Sequence, residues 1–300
     1  MRADATPLGD IEYAVAKLHW MRQRRIWPNG LRYLWTDAFG VILLVSLYEA
    51  TNELRFLDEA VWLVGRVDRV LGRPRGLRIG EEADRDGQYF HYLAMWLYAI
   101  AIMARHVPEM RAKGVRLVRQ IHSAFVLPGR GVIWKMKEDL SGPYPGFGLG
   151  ALDAFDGYIS YRMLDEENLA EEIGDMSLLI AKQAPSLWIT QDLGLGMMLW
   201  MSHFYPEEDW AVLQRQRCLE TLDRMWERPG YFCRELDLPA VKFAFTNYGI
   251  SVGLQAVDSM PQRVSALHAF FEHYRSGDEY DDAAITHVMA CSAHFPGLLL

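Results

Sequence analysis

Hydrophobic positions recur along this chain with the spacing of α-helices, and long runs of strict alternation between apolar and polar residues do not occur. One group of segments is amphipathic, with a charged face opposite an apolar face. These segments are Asp10–Arg25, Leu54–Leu71, Pro108–Phe125, Glu166–Gln183, Glu207–Trp226 and Ser259–Arg275. The segments between them are apolar on almost every face. These are Trp35–Ala50, Gln88–Ala104, Phe155–Leu164, Trp188–Phe204, Phe245–Val257 and Asp281–Ala293. The pattern predicts an all-α protein in which two kinds of helix alternate.

The two kinds of helix need different surroundings. A helix that is apolar all round must be buried, whereas an amphipathic helix covers a core with one face. We therefore predict an inner ring of apolar helices inside an outer ring of amphipathic ones, which is an (α/α)6 toroid of six helical hairpins forming one domain of residues 1–300. An open α-solenoid is the alternative, but it would expose one face of the apolar helices to water. Gly249 and Gly253, on either side of Ser251, indicate close helix packing.

The connections between helices differ in length at the two ends of the predicted hairpins. Turns from an inner to an outer helix are short, whereas connections from an outer to an inner helix are long at residues 72–87, 126–154 and 227–244. The long connections contain a Gly/Pro-rich stretch at 141–150 and extended segments around 132–136 and 231–234. Long ordered loops are commonly functional. We expect the mouth of a site at the N-terminal ends of the inner helices.

Four short motifs stand at the starts of inner segments: LWTDAFG at 34–40, DGQYFH at 86–91, DAFDGY at 153–158 and FTNYG at 245–249. Together with the alternation of helices, they resemble the six-hairpin glycosidase-like superfamily of (α/α)6 toroids. The resemblance covers the whole chain. It implies a carbohydrate-active enzyme, because that superfamily includes glycoside hydrolases, unsaturated uronyl hydrolases, polysaccharide lyases and sugar 2-epimerases. The catalytic signature of a single family is not matched, so no residue role is carried over.

Acidic residues cluster at the predicted N-termini of the inner helices. They are Asp37, Asp86, Asp153, Asp156, Asp192, Asp281 and Asp282. Aspartate commonly caps free backbone N–H groups at such positions. A ring would nevertheless bring these carboxyl groups around one mouth, and glycosidic hydrolysis requires two of them. We predict Asp37 and Asp156 as the catalytic pair with Asp86 as a third candidate, and we expect Gly157 to leave room for a substrate beside Asp156.

Histidines offer a different chemistry on the same fold. His91 and His287 each lie about one turn into an inner helix, near the expected mouth. Histidine titrates near neutral pH, so this pair could move a proton beside a carbonyl group, as sugar epimerisation or isomerisation requires. A hydrogen-bonded core histidine is the simpler interpretation of either residue.

A metal site is a further alternative. His287 and Cys291 stand four residues apart on one helical face, which suits two zinc ligands, although a third ligand would be needed. Without zinc we expect no cofactor. A binding protein that keeps the toroid without catalysis is the last alternative.

Aromatic and polar residues near the expected mouth are candidates for substrate binding, since aromatic rings stack on sugar faces and polar groups bind hydroxyls. The predicted substrate-binding residues are Trp35, Tyr89, Trp134, Lys135, Tyr144, Asp153, Tyr158, Trp188, Asn247 and Tyr248. Arg78, Arg85 and Lys242 occur in the same loops and could pair with an anionic ligand group. A solvated loop charge is their simpler interpretation.

Composition narrows the class of partner. The 300 residues carry 31 Lys and Arg against 39 Asp and Glu, a formal charge of -8, and the basic residues are dispersed. Nucleic acid is therefore not an expected partner.

Three cysteines at long spacings suit reduced thiols, and the N-terminus has no signal-peptide pattern, so we expect a cytoplasmic protein. The apolar stretch Tyr89–Ala104 is shorter than the roughly 20 residues of a membrane span, so no membrane is expected. A small saccharide is the expected partner.

Overall fold

A computed structural model of the protein describes residues 8–228, 232 and 243–300. The chain forms two compact units. Unit 1 consists of Met1–Gly30, Glu49–Asn52 and Trp188–Leu300, and unit 2 of Leu31–Tyr48 and Glu53–Leu187. Cys233, Lys242 and most of the predicted extended segment 231–234 lie outside the described residues. The single domain of residues 1–300 stays a prediction.

Unit 2 contains helical hairpins and two short antiparallel ribbons. Its helices are α2 (Leu34–Thr51, ending in unit 1), α3 (Leu54–Leu71), α4 (Phe90–Met103), α5 (Glu109–Phe125), α6 (Asp153–Asp165) and α7 (Ala170–Gln183). Its strands are β1 (Gln88–Tyr89), β2 (Val126–Leu127), β3 (Gly131–Val132) and β4 (Lys135–Met136). β1 pairs with β4, and β2 pairs with β3. The extended segment predicted around 132–136 is confirmed.

Unit 1 is built from the remaining helices. They are α1 (Leu8–Gln23), α8 (Asp192–Ser202), α9 (Asp209–Trp226), α10 (Ala244–Ala256), α11 (Pro261–His273) and α12 (Ala284–His294). Short 3-10 helices follow at Glu279–Asp281 and Gly297–Leu299. Within this unit α8 packs against α9 and α10, α10 against α11 and α12, and α12 against α1.

Every predicted helix is present, and most ends agree within about two residues. The largest differences are at N-termini: the segments predicted from Glu166, Trp188 and Asp281 begin at Ala170, Asp192 and Ala284. Polar turn interactions explain one of these shifts. The Asp281 carboxylate accepts hydrogen bonds from the backbone N–H groups of Ser276 and Gly277, and so holds a loop instead of starting α12.

Burial follows the two predicted kinds of helix. All residues of α2 from Leu34 to Leu47 are buried, as are those of α4 from Leu93 to Met103, whereas α3 buries only one stripe. Among the described helices, α2 is long and apolar enough to cross a membrane, but 78% of it is buried inside the protein. That burial is what an inner core helix requires.

Candidate active site

The start of α4 carries a dense aromatic cluster in unit 2. The His91 ring lies 5.4 Å from the Tyr89 ring and 4.6 Å from the Tyr92 ring, measured between centroids. Trp35 of α2 and Trp134 of the long loop complete the cluster, at 5.9 and 6.4 Å from His91. Burial lowers the pKa of His91 to about 3, so its ring is neutral at physiological pH. We call these five residues the aromatic cluster.

Trp134 gives the aromatic cluster an open face. Its side chain is 41% exposed, although it stacks on Tyr89 with 5.7 Å between ring centroids and 18° between planes. Its backbone is fixed on both sides, because its N–H donates to the carbonyl of Gly148 and its own carbonyl accepts from Phe90 N–H. An exposed ring on a rigid backbone is suited to stack on a sugar ring.

Asp153 begins α6 and reaches the start of α4. Its side chain is only 3% exposed and accepts hydrogen bonds from the backbone N–H of His91 and from its own N–H. Gly150 makes room for this carboxyl group, since a Cβ there would lie 1.6 Å from Asp153 Oδ2. The other oxygen, Oδ1, is buried without a hydrogen-bond partner in the described structure. Burial raises the pKa of Asp153 to about 8.

Asp156 stands one turn further along α6. Protein atoms surround its carboxyl group, yet the residue keeps partial contact with solvent. Burial, followed by the negative charge of Asp153, raises the pKa of Asp156 well above its usual range. Two backbone N–H groups favour the ionised form of Asp153, whereas no hydrogen-bond donor among the described residues lowers the pKa of Asp156. The pair can therefore hold a proton at neutral pH.

Gly157 does not serve the predicted purpose. A Cβ at this position would meet the Met176 side chain at 2.6 Å and Phe90 at 3.2 Å. Gly157 therefore lets α6 approach α7 and α4, and the expectation that it opens a path for substrate is wrong.

Asp37 lies in a different environment from Asp156. It is fully buried, and its Oδ1 accepts a hydrogen bond of 3.0 Å from the Arg32 guanidinium, whose side chain is 1% exposed. A carboxylate held by a buried cation stays ionised and is a poor proton donor. This geometry favours a structural role for Asp37, whose catalytic role stays a prediction.

Asp86, Lys135 and Tyr144 form a compact polar group beside the aromatic cluster. Tyr144 donates a hydrogen bond of 2.7 Å to Asp86, and Lys135 Nζ lies 3.4 Å from the same carboxylate. These contacts lower the pKa of Asp86, with the Tyr144 hydrogen bond as the largest cause. Lys135 Nζ also lies 3.8 Å above the Tyr144 ring. The predicted binding pair Lys135 and Tyr144 thus engages the predicted catalytic Asp86.

Two more members of the predicted acidic ring are engaged locally in unit 1. Asp192 accepts hydrogen bonds from Leu193 N–H and from the Thr246 hydroxyl. Asp281 holds the loop at Ser276 and Gly277, as described above. Both residues therefore hold local structure, whereas Asp153 and Asp156 are a carboxyl pair of unit 2 that no described cation neutralises.

His287 of α12 is buried in unit 1. Its ring donates a hydrogen bond to the backbone carbonyl of Asp281, and Nε2 has no hydrogen-bond partner in the described part of the chain. Burial and the positive charge of Lys17 lower its pKa to about 4. His287 lines a cavity of about 30 Å³, which accommodates water.

The zinc alternative finds little chemical support at α12. Cys291 is fully buried, and burial raises the pKa of its thiol to about 12, which opposes the thiolate that zinc binds. Residues 8–228, 232 and 243–300 contain no group of three or more His, Cys, Asp or Glu arranged for a metal ion. The cofactor expectation itself stays a prediction.

Four more predicted binding residues make contacts within their own units. Asn247 is completely buried and donates to the Phe243 carbonyl, while Tyr248 is 2% exposed. Trp188 is 57% exposed and lies 4.6 Å from the Arg217 guanidinium of the outer helix α9. In unit 2, Tyr158 accepts a hydrogen bond from Arg162 one turn along α6. These contacts favour packing roles over contact with substrate.

The predicted loop cations are engaged by protein groups. Arg78 forms an ion pair of 2.6 Å with Glu138, and Arg85 lies 5.4 Å from the centre of the Tyr33 ring. Sequence reasoning missed Arg32 and Tyr33, which precede α2, and it missed the role of Gly150. No periodic signal marks them, because they act through contacts that helical periodicity does not predict, such as that of Arg32 with Asp37 and that of Gly150 with Asp153.

No protein-family model and no curated protein matches the sequence. Solved structures do match. A D-mannose isomerase aligns over 99% of both chains with a TM-score of 0.70 and 12% identity. A cellobiose 2-epimerase from Spirochaeta thermophila aligns over 89% of this chain and 86% of its own, with a TM-score of 0.63 and 14% identity. The GH76A α-1,6-mannanase from Salegentibacter sp. aligns over 97% and 100%, with a TM-score of 0.64 and 12% identity.

The chain has the (α/α)6 toroid fold. The resemblance to the six-hairpin glycosidase-like superfamily is confirmed at the level of the fold, with no specific family matched. The toroid is the correct fold class, and the open solenoid is not. In this toroid the aromatic cluster lies where an inner helix begins, which is the end at which the sequence predicts the site.

Proposed function

We propose that the protein is a carbohydrate-active enzyme of the glycoside hydrolase kind, acting on a small saccharide by carboxyl acid/base catalysis. One observation carries the proposal: Asp153 and Asp156 form a buried carboxyl pair that no described cation neutralises, on a helix that packs against α4, at whose start the aromatic cluster lies. Sugar hydrolysis needs a carboxyl group that is protonated at neutral pH next to a surface on which a sugar ring stacks.

The chemistry assigns a role to each member of the pair. The pKa of Asp156 is raised well above its usual range and the residue still contacts solvent, so it acts as the general acid that protonates the leaving oxygen. Asp153 accepts two backbone hydrogen bonds that favour its ionised form, and it is the second carboxyl group that hydrolysis requires. Trp134 and Tyr89 supply the stacking surface. Of the pair predicted from sequence, Asp156 keeps its role, and Asp153 takes the place of Asp37.

The activities named for several structural neighbours support the class of carbohydrate-active enzymes. They include a D-mannose isomerase, a cellobiose 2-epimerase and an α-1,6-mannanase. An inactive variant of that mannanase, with two neighbouring aspartates replaced by asparagine, forms a complex with α-1,6-mannotriose. The loss of activity on replacing two aspartates in that protein supports the carboxyl chemistry that we propose for Asp153 and Asp156.

Sugar epimerisation or isomerisation is the second candidate function, and His287 favours it. Its ring is oriented by the Asp281 carbonyl, and the free Nε2 is positioned to accept a proton. Hydrolysis and epimerisation differ in a simple observable. Epimerisation in deuterium oxide introduces deuterium at a sugar carbon, whereas hydrolysis does not.

The test is a screen of α- and β-linked gluco- and manno-disaccharides, followed by NMR for bond cleavage and for deuterium incorporation. We expect cleavage of at least one disaccharide. Asp156→Asn should lower kcat at least about 100-fold, because general acid catalysis contributes about 10²- to 10⁴-fold. The matched control is Asp58→Asn at an exposed position of α3, which should retain full activity. Full activity of Asp156→Asn would contradict the proposal.

We also propose a cytoplasmic location and a small saccharide as the partner, with neither nucleic acid nor a membrane involved. The dispersed basic residues support the exclusion of nucleic acid. The buried thiols of Cys218 and Cys291 suit a reducing compartment.

A further inference from the structure

The proposed active site has an unusual charge balance. Asp156 is influenced by one charged group in the described part of the chain, and that group is the carboxyl of Asp153. The described causes acting on Asp153 are burial and two backbone N–H donors, with no cationic side chain among them. Asp153 Oδ1 is also buried without a hydrogen-bond partner among the described atoms. The pair therefore lacks a positive partner.

Cations of unit 2 that lie near the site already have other partners. Arg32 pairs with Asp37, Lys135 with Asp86, Arg78 with Glu138 and Arg162 with Glu166. Arg85 lies 3.8 Å from Glu82 and also contacts the Tyr33 ring. Among the described residues, therefore, no cation is left to act on Asp153 and Asp156, and a cationic group of a ligand would supply one.

The aromatic cluster at the start of α4, where the His91 N–H donates to Asp153, is suited to the same kind of ligand. The face of an aromatic ring attracts cations, and Trp and Tyr do so most strongly. This wall already holds one ammonium group: Lys135 Nζ lies 5.3 Å from the centre of the Tyr89 ring and 5.2 Å from that of Phe147. Lys135 acts on Asp86 and not on Asp153 or Asp156.

We infer that the site selects saccharides that carry a protonated amino group, with the amine placed between the aromatic cluster and the Asp153/Asp156 carboxyl pair. This inference rests on the proposed function and names its substrate class. An ammonium group supplies the missing positive charge, donates hydrogen bonds to Asp156 and Asp153, and contacts the ring faces. A neutral sugar supplies no positive charge to favour ionisation of the pair.

Binding of an ammonium group changes the protonation of the pair. In the free protein at pH 6 the carboxyl pair is protonated, because its pKa values are raised. A neighbouring positive charge favours the ionised form, so binding of the amine should release a proton to the solvent. Uptake or release of protons can be measured independently of any catalytic turnover.

The experiment is titration calorimetry at pH 6 with three β-1,4-linked disaccharides: the glucosamine dimer, the N-acetylglucosamine dimer and cellobiose. Each titration is repeated in two buffers of different ionisation enthalpy. We expect the glucosamine dimer to bind at least tenfold more tightly than the other two and to release about one proton. Asp156→Asn should remove both the preference and the proton release, and Asp153→Asn serves as a second variant. Asp58→Asn should leave both unchanged.

The outcomes separate this inference from the proposed function. If cellobiose binds as tightly as the glucosamine dimer, the amine preference is wrong, while the proposed function stands on the disaccharide screen. If none of the three sugars binds, the inference is likewise wrong. If the glucosamine dimer binds preferentially but the screen shows no cleavage, the site is selective for amines, and the proposed hydrolysis is wrong.

Discussion

Neighbouring charges decide the chemistry of each aspartate. Asp37 and Asp156 are the same residue type at the start of apolar helices, and the sequence predicts the same role for both. The structure places the Arg32 guanidinium 3.0 Å from Asp37, whereas no cation of the described residues acts on Asp156. One carboxylate is therefore stabilised in its charged form, and the other is destabilised.

This contrast predicts opposite effects of the same substitution on stability. When folding raises the pKa of a carboxyl group, the free energy of unfolding falls as the pH rises above the pKa of that group in the unfolded chain, which is about 4. Asp156→Asn removes that effect and should raise the Tm at pH 7 by about 2–5 °C. Asp37→Asn leaves the buried Arg32 cation without its carboxylate, which should cost about 3–5 kcal/mol.

Urea and thermal unfolding at pH 7 measure both effects. The prediction fails if Asp156→Asn is as destabilising as Asp37→Asn, since that result would mean that Asp156 has a structural partner. If the Asp156→Asn variant is more stable than the native protein but inactive, the native protein keeps a destabilising carboxyl group at this position because its chemistry requires one.

Helix packing in unit 1 depends on a close approach between α8 and α10. A Cβ on Gly253 would lie 2.1 Å from the Gly196 carbonyl oxygen, and a Cβ on Gly196 would lie 2.4 Å from that of Gly249. Backbone therefore contacts backbone where the two helices cross. The glycine spacing around Ser251 predicts close packing, and the structure confirms it.

Gly253→Ala should destabilise the protein by about 2 kcal/mol or more, because the new methyl group forces the two helices apart. The control is Gly174→Ala within α7, where a Cβ meets nothing within 4 Å. This control should be neutral or stabilise by up to about 1 kcal/mol, since alanine favours the helix. Equal effects in urea denaturation would contradict the assigned contact.

The whole molecule contains histidines whose burial opposes protonation. The pKa is lowered for His91, His203, His268, His287 and His294. For His91 and His268 it is about 3, and for His287 about 4. The unfolded chain binds protons at these residues below about pH 6.5 while the folded protein does not, so stability falls as the pH falls.

The carboxyl groups whose pKa is raised by folding change the stability of the protein with pH in the opposite direction. Asp153, with a pKa of about 8, binds a proton in the folded protein between about pH 4 and 8, so its contribution to stability falls as pH rises through that range. Below pH 6.5 the more numerous histidines determine how the free energy of unfolding changes with pH. Above pH 6.5 the carboxyl pair determines it. We expect the free energy of unfolding to be greatest near pH 6.5, as urea unfolding between pH 4.5 and 8.5 can measure. A steady rise to pH 8.5 would refute the assigned protonation states.

The toroid itself could be predicted because it depends on a repeated pattern. Alternation of apolar and amphipathic segments determines which helices are buried, and long outer-to-inner loops indicate the end that carries the site. A fold set in this way tolerates wide sequence change, which is consistent with the 12% identity between this chain and the D-mannose isomerase. The helix positions and the aromatic character of the mouth were therefore available from the sequence alone.

Only the tertiary structure decided which of the candidate residues act together. The sequence shows that Asp37, Asp86 and Asp156 precede or begin apolar helices, but not that Arg32 and Lys135 neutralise the first two. It places Gly157 beside Asp156 without showing that Met176 fills the space around it. The physical reason is that helical periodicity depends on residues that are neighbours along the chain. The charge and burial of a carboxyl group depend instead on the residues that folding brings close to it.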